Sequence, residues 1–238
     1  MAVEIGLFGK HPGYGDFVRV VLSDVAVEGL TNWMDTSLHE MREHLGNRWG
    51  GFWDNAQDLR FWIGHEVFGH SLCGVLRASE DRVGRRYPLV LAVEQSDIAP
   101  PVVDADQSLY DALEHHFAEM QPGKDAAALL EGLDQSGLDI GPESPTAKAE
   151  GSRLWAHHPE DDLTALLTAT ATEDANRARL ARSYWWSAPQ KGRHPLWLGQ
   201  AGLPDAPSLA WLLNGIRAED PVAPPPDLEK KEKLDVQQ

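Results

Sequence analysis

The sequence has 238 residues, of which 42% are hydrophobic, and it carries a formal net charge of −16. Every apolar stretch is shorter than the roughly 20 residues that span a bilayer, so we expect no membrane insertion. A chain with this negative charge repels nucleic acid and anionic lipid, so we expect no nucleic-acid partner. The single cysteine, Cys73, excludes an internal disulfide, and the N-terminus lacks the pattern of a signal peptide, so we expect a cytoplasmic protein.

The first elements along the chain are a strand and a long helix. Glu4–Phe8 is mainly apolar and predicts a strand. From about Val25 to Leu45 the apolar residues recur every three or four positions, which indicates an amphipathic helix. Ser23 or Asp24 can cap its N-terminus, and Gly46 is typical of a helix end.

Three further strands are expected before residue 95. Leu59–Val67 and Ser71–Arg77 predict a β-hairpin that turns near Gly69, and Arg86–Val93 predicts the third strand. Charged residues separate the second of these strands from the third, so the connection between them lies at the surface.

The second half of the chain mixes both kinds of element. Residues 134–151 are rich in Gly, Pro, Ser and acidic residues, which predicts a loop. Helices are expected around Leu109–Met120 and at Asp125–Leu133, Asp162–Thr170, Glu173–Ala181 and Pro204–Asn214, and strands at Arg153–His157, Ser183–Ser187 and Leu196–Ala201. We therefore expect an α+β fold, a mainly antiparallel central sheet flanked by helices, in one compact domain over residues 1–219. Residues 220–238 are rich in proline and then in charge, which predicts a disordered tail.

The connection between the second and third of these strands is unusually charged. Glu80, Asp81, Arg82, Arg85 and Arg86 fall within seven positions around a glycine. A turn needs only small or flexible residues to reverse the chain, so fixed charges of both signs at the surface indicate recognition of a partner. No nucleophile-elbow glycine pattern accompanies the nearby serine, so a hydrolase is not indicated.

Two sequence patterns resemble enzyme motifs but depart from them. His65 and His70 are five residues apart, whereas a zinc-binding helix needs a spacing of four, and we expect no metal. The segment Gly9–Asp16 contains Gly9-Lys10 after a strand, but His11-Pro12 follows where a phosphate-binding loop has serine or threonine. A structured loop is the favoured interpretation, and a nucleotide or small-ligand site in this segment is kept as the alternative function.

Charge and tryptophan content leave two questions about surfaces open. Residues 94–176 carry 18 acidic and 3 basic side chains, which fits either a solubilising surface or a docking surface for a basic partner. The nine tryptophans fit a hydrophobic core, with a protein interface or a carbohydrate site as the alternatives.

Three ordered segments together resemble the TagF (ImpM) family of type VI secretion accessory proteins. They are Gly6–Pro12 leading to Gly15-Asp16-Phe17-Val18-Arg19, then Gly74-Val75-Leu76 with Ser79 and Asp81–Leu89, and lastly Ser183–Trp186 with Gly202-Leu203-Pro204 downstream. Trp33 in the first helix also fits the pattern. The chain departs from the pattern at Ala78, where proline is expected, and at Cys73, where tryptophan is common.

The resemblance implies a non-enzymatic cytosolic regulator that represses type VI secretion after translation. Its implied partner is the forkhead-associated (FHA) scaffold protein that helps to activate the secretion apparatus. The resemblance implies no cofactor for the regulator. Whether the charged side chains face this partner or lock the loops against each other stays open at the level of sequence. The residues expected to bind the partner are Asp16, Phe17, Arg19, Ser79, Asp81, Arg82, Arg85 and Tyr87.

Overall fold

The structure is a computed structural model of the chain. It describes residues 4–94, 98–133, 148–150, 153–155, 167–168, 171–172, 175, 179–221 and 224–225. The predictions for residues 134–147, for most of Asp162–Thr170 and Glu173–Ala181, and for most of the tail lie outside these residues.

The described residues form short strands and a few helices, in an order that begins with a β-hairpin. The strands are β1 (Ile5–Gly9), β2 (Val18–Val20), β3 (Leu59–Ile63), β4 (Leu72–Arg77), β5 (Leu89–Glu94), β6 (Lys148–Glu150), β7 (Arg153–Trp155), β8 (Arg182–Trp186), β9 (Arg193–His194), β10 (Trp197–Ala201) and β11 (Ile216–Arg217). The α-helices are α1 (Asp24–Leu45), α2 (Trp49–Asp54), α3 (His65–Phe68), α4 (Ser108–Glu119) and α5 (Ala206–Asn214), with 3₁₀ turns at Gly46–Arg48 and Ala126–Leu130.

Seven strands form one antiparallel sheet in the order β10-β8-β3-β4-β5-β1-β2. Along each strand, successive side chains point to opposite faces of the sheet, as the pleat requires. In β3, Phe61 packs on one face and Trp62 on the other. The predicted α+β fold with a mainly antiparallel sheet is therefore confirmed.

The first face of the sheet is covered by α1 and α5. Leu30, Met34, Leu38 and Met41 form a buried stripe along α1 at helical spacing and pack on this face. The hydroxyl of Ser23 caps α1 by accepting a hydrogen bond from the Ala26 N–H at 3.2 Å, which confirms the predicted start of the helix.

The second face is covered by α4, which a buried arginine holds in place. Arg60 of β3 donates hydrogen bonds to the carboxylates of Glu114 (2.6 and 2.9 Å) and Asp111 (2.5 Å) on α4. Burial alone would lower the pKa of Arg60, but these two carboxylates outweigh burial and raise it. Arg60 therefore remains charged and fixes α4 against the sheet.

The connection between β3 and β4 corrects one prediction. The two strands pair antiparallel, but the helical turn α3 joins them where strand was expected to continue to Val67. Gly64 approaches the backbone of Leu180 so closely that a Cβ would lie 2.2 Å from the carbonyl oxygen. Gly69 ends the turn with φ of +83°, a conformation that glycine adopts without strain.

Several element boundaries also differ from the sequence predictions. The strand expected to begin at Arg86 begins at Leu89, and the expected helix Asp125–Leu133 is only a 3₁₀ turn. The expected loop at 134–151 contains β6 at its C-terminal end, while β2 and α2 were not predicted. Within the described part of the chain, no helix is both long enough and apolar enough to cross a membrane.

Candidate functional site

The loop Gly9–Asp16, called here the glycine loop, is tied to its surroundings at both ends. Gly9 pairs with Leu89 of β5, and the Lys10 N–H donates to the carbonyl of Pro88, the residue before β5, at 3.2 Å. The Tyr14 hydroxyl donates to the Asp125 carbonyl at 2.6 Å. Within the loop, Nδ1 of His11 accepts a hydrogen bond from the Gly13 N–H, and burial lowers the pKa of His11. These N–H groups bond inside the protein, where a phosphate loop would direct them at a ligand.

The connection between β4 and β5, called here the charged turn (residues 78–88), is built around the buried carboxylate of Asp81. Its Oδ1 accepts hydrogen bonds from the N–H groups of Val83 and Arg85, both at 3.0 Å. Its Oδ2 lies 2.6 Å from Nε of Arg85 and 3.1 Å from Nζ of Lys10. One carboxylate therefore fixes the charged turn and joins it to the glycine loop.

These contacts keep Asp81 ionised. Burial by itself would raise the pKa of this carboxyl, but the hydrogen bonds from the Arg85 backbone, from the Lys10 and Arg85 side chains and from the Val83 backbone outweigh it. The pKa of Asp81 consequently lies well below its ordinary value of 3.8. Arg85 completes the connection by donating to the Gly15 carbonyl at 2.7 Å.

Arg82, in contrast, is exposed at the tip of the charged turn. Its backbone N–H donates to the Tyr14 carbonyl at 2.8 Å, so the position of the residue is fixed. Its guanidinium lies above Gly15, where an added Cβ would stand 3.1 Å from Nη2, and among the described residues it has no carboxylate partner. The neighbouring Val83 side chain is 70% exposed.

Four cations surround a surface pocket of about 610 Å³ between α1, α2 and the charged turn. They are Lys10, Arg42, Arg85 and Arg86, and Asp35 is the acidic residue in the lining. We call this the basic pocket. It stands out because the chain as a whole carries 37 acidic and 21 basic side chains.

Aromatic rings form the walls and floor of the basic pocket. Phe17 stacks on Phe8 with ring centroids 5.8 Å apart, meets the edge of Tyr87 at 4.9 Å, and is 45% exposed. Trp49 lies under Arg42, whose guanidinium carbon is 5.1 Å from the ring centroid. Burial raises the pKa of Tyr87, and the charge of Asp35 adds to the rise, so the phenol stays neutral.

The structure brings some of the expected partner-binding residues together and separates others. Phe17, Arg85 and Tyr87 line the basic pocket, and Asp81 binds two of its lining residues, Lys10 and Arg85, whereas Arg82 is not in the lining. The other three have local roles: Asp16 accepts a hydrogen bond from the Phe17 N–H, Arg19 pairs with Asp24 at 2.5 Å, and the Ser79 carbonyl accepts from Trp53 Nε1.

Sequence reasoning missed Asp35, Arg42 and Trp49, which come from the α1–α2 side of the pocket. Asp35 and Arg42 are seven residues apart, hence two turns apart on one face of α1, directly beside the buried stripe. The sequence feature that could have revealed Asp35 and Arg42 is a pair of opposite charges at this spacing beside an apolar stripe. Trp49 lies in α2, an element that was not predicted.

The histidines do not assemble a metal site in the described part of the chain. His65 is exposed on α3, whereas Nε2 of His70 lies 3.2 Å from the Glu94 carboxylate. Among the described residues, no group of three or more His, Cys, Asp or Glu side chains is placed to hold a metal ion.

Comparison with known protein families identifies the family of this chain. The model of the TagF N-terminal domain, described as type VI secretion system-associated, matches residues 6–136. The chain belongs to this family. The matched TagF segment contains the glycine loop, the charged turn and all the residues of the basic pocket.

A solved structure extends the likeness of fold beyond the TagF N-terminal segment. The crystal structure of PA0076 from Pseudomonas aeruginosa PAO1 matches with a TM-score of 0.68 and 24% identity, covering 94% of this chain and 100% of that chain. No curated protein sequence matches. The fold is therefore shared over nearly the whole chain, although few residues are identical.

Proposed function

We propose that this TagF-family protein represses type VI secretion after translation by binding the FHA scaffold protein of the apparatus. In this proposal it acts in the cytoplasm, without enzymatic chemistry and without a cofactor. Membership of a type VI secretion system-associated family supports the biological setting. We place the contact surface at the charged turn.

One observation carries the choice of surface: the Arg82 backbone is fixed by its hydrogen bond to Tyr14, and the guanidinium has no carboxylate partner among the described residues. Exposed Val83 follows it in the chain. An exposed arginine beside an apolar side chain is typical of the residues that dominate binding energy at protein interfaces. Arg85, by contrast, is engaged with Asp81 and holds the turn in shape.

The alternative, a nucleotide or small-ligand sensor using the glycine loop, has less support. The N–H groups of Lys10, Gly13 and Tyr14 all donate hydrogen bonds within the protein. A phosphate bound there would have to break these bonds. The loop is better explained as the support on which Arg82 and Arg85 rest.

The test is overproduction in a strain with an active type VI system. We expect secreted substrates to disappear from the culture supernatant while immunoblots show the apparatus proteins still present in the cell. If overproduction leaves secretion unchanged, the proposed function is wrong.

The surface is tested separately by Arg82→Glu, with Arg217→Glu as the matched control because Arg217 is also exposed. We expect Arg82→Glu to restore secretion and to weaken scaffold binding about 30-fold or more, the effect of losing an interface residue worth about 2 kcal/mol. Arg217→Glu should repress normally. If both variants repress normally while wild type represses, the function stands and the surface lies elsewhere.

A further inference from the structure

The cations of the basic pocket are held in place by ion pairs and hydrogen bonds within the protein. Lys10 and Arg85 share the carboxylate of Asp81, and Arg86 binds both oxygens of Asp54 at 3.0 Å. A cation already fixed by hydrogen bonds loses little freedom when it meets a second anion. The pocket is therefore preorganised for a negatively charged group.

Arg42 supplies the charge that these carboxylates do not balance. Its Nη2 donates to the Arg86 carbonyl at 3.0 Å, and its guanidinium lies over the ring of Trp49. Neither contact neutralises it, and it has no ion pair among the described residues. A guanidinium fixed by a carbonyl and an aromatic face still has N–H groups available for a carboxylate or a phosphate.

The lining of the pocket also includes one carboxylate. Asp35 lies beside the buried hydroxyl of Tyr87 and adds to the effect of burial in raising its pKa, so the hydroxyl keeps its proton. The four cations outnumber this carboxylate in the lining.

We propose that the basic pocket receives one acidic side chain of the protein partner, with its anionic oxygens on Arg42. This inference rests on the proposed function, since it names the chemistry by which the scaffold is recognised. The anion is a carboxylate or a phosphorylated side chain, and the apolar part of the same segment packs on Phe17 and Trp49. The volume of about 610 Å³ holds a side chain together with some of its backbone.

Affinity of the purified scaffold for this protein tests the inference. Arg42→Gln removes the charge and keeps most of the side-chain length, and Arg48→Gln is the matched control, because Arg48 is exposed near the same helix end but faces a different groove. We expect Arg42→Gln to weaken binding at least tenfold and Arg48→Gln to leave it within twofold. Both melting temperatures should equal that of wild type.

Three further measurements identify the anion and test its contact with Arg42. In a double-mutant cycle, one Asp→Asn or Glu→Gln change in the scaffold should lose its effect when Arg42→Gln is present, because the two groups form one interaction. If phosphatase treatment of the scaffold abolishes binding instead, the anion is a phosphorylated side chain, which also supports the proposal. Sodium phosphate at constant ionic strength should compete with the scaffold for wild type but not for Arg42→Gln.

The outcomes separate this inference from the proposed function. If wild-type protein does not bind the scaffold, the proposed function fails first. If the scaffold binds wild type and Arg42→Gln equally well, or if Arg48→Gln weakens binding as much as Arg42→Gln, the pocket is not the contact and only the inference is overturned. If phosphate binds at Arg42 without displacing the scaffold, the pocket takes a free anion and the assignment to a partner side chain is wrong.

Discussion

Replacing Trp33 by alanine should destabilise the fold by about 3 kcal/mol. The indole packs on the fully buried Trp185 with ring centroids 4.9 Å apart, and its Nε1 donates to the Pro204 carbonyl at 2.7 Å. Buried Trp→Ala changes cost about 3–5 kcal/mol, of which the aromatic pair and the hydrogen bond each supply about 1 kcal/mol. Trp33 is only partly buried, so the lower end of that range applies.

Thermal unfolding measures the effect. For a chain of this size we expect the melting temperature to fall by about 6–12 °C for Trp33→Ala, and by less for Trp33→Phe, which keeps the ring and loses the hydrogen bond. Trp197→Ala is the control: its ring is 51% exposed and stacks on Tyr184, so about 1 kcal/mol is expected. If Trp33→Ala melts like wild type, α1 does not rest on the segment before α5 and the packing argument is refuted.

Four other changes test the charged turn and the backbone conformation at Val21. Arg85→Ala should lower the melting temperature, because it removes a partner of buried Asp81, whereas Arg82→Ala should leave it within about 2 °C, as exposed substitutions do. Because the pKa of Asp81 is lowered in the folded state, its ionised carboxylate stabilises the fold above about pH 4, and this contribution is lost as the pH falls below 3.8. In Asp81→Asn the free energy of unfolding should therefore fall less steeply with decreasing pH in this acid limb. Val21→Gly should stabilise the protein by about 0.5–1 kcal/mol in urea unfolding, because Val21 has φ of +68° and glycine relieves the steric cost there.

Each of these changes has a distinct contradicting result. Equal losses for Arg82→Ala and Arg85→Ala would mean that Arg82 also holds the turn. An unchanged acid limb in Asp81→Asn would mean that other carboxylates set the acid stability. A less stable Val21→Gly would mean that contacts of the valine side chain outweigh its backbone conformation.

The parts of the fold that the sequence predicted are those that periodic patterns determine. The buried stripe of α1 with its cap at Ser23 appears where expected, and so do the central strands, because burial on one face forces a repeat of two or of three to four residues. Short elements without such a repeat were missed. Gly50 and Gly51 in α2 argue locally against a helix that packing nevertheless stabilises through buried Trp53.

The sequence predicted only the part of the candidate site that the charged turn and the neighbouring loop residues form. Charged residues close together in sequence, as in the charged turn, reveal a site without knowledge of the fold. Arg42 reaches the same pocket from α1, and only the packing of α1 on the sheet brings it within 3.0 Å of the Arg86 carbonyl. Sequence also left the roles of Arg82 and Arg85 open, since which of the two reaches the buried Asp81 depends on the backbone course of the turn.

The basic pocket is a local exception on an acidic molecule. The helix α1 that borders it carries five acidic side chains and one arginine, and residues 98–133, on the other face of the sheet, carry seven acidic side chains and one basic side chain. Charges in solution act over about a Debye length, roughly 8 Å at physiological salt. An acidic segment is therefore repelled by the acidic remainder of the surface and attracted only near the four cations of the pocket, so the field restricts where such a segment can first make contact.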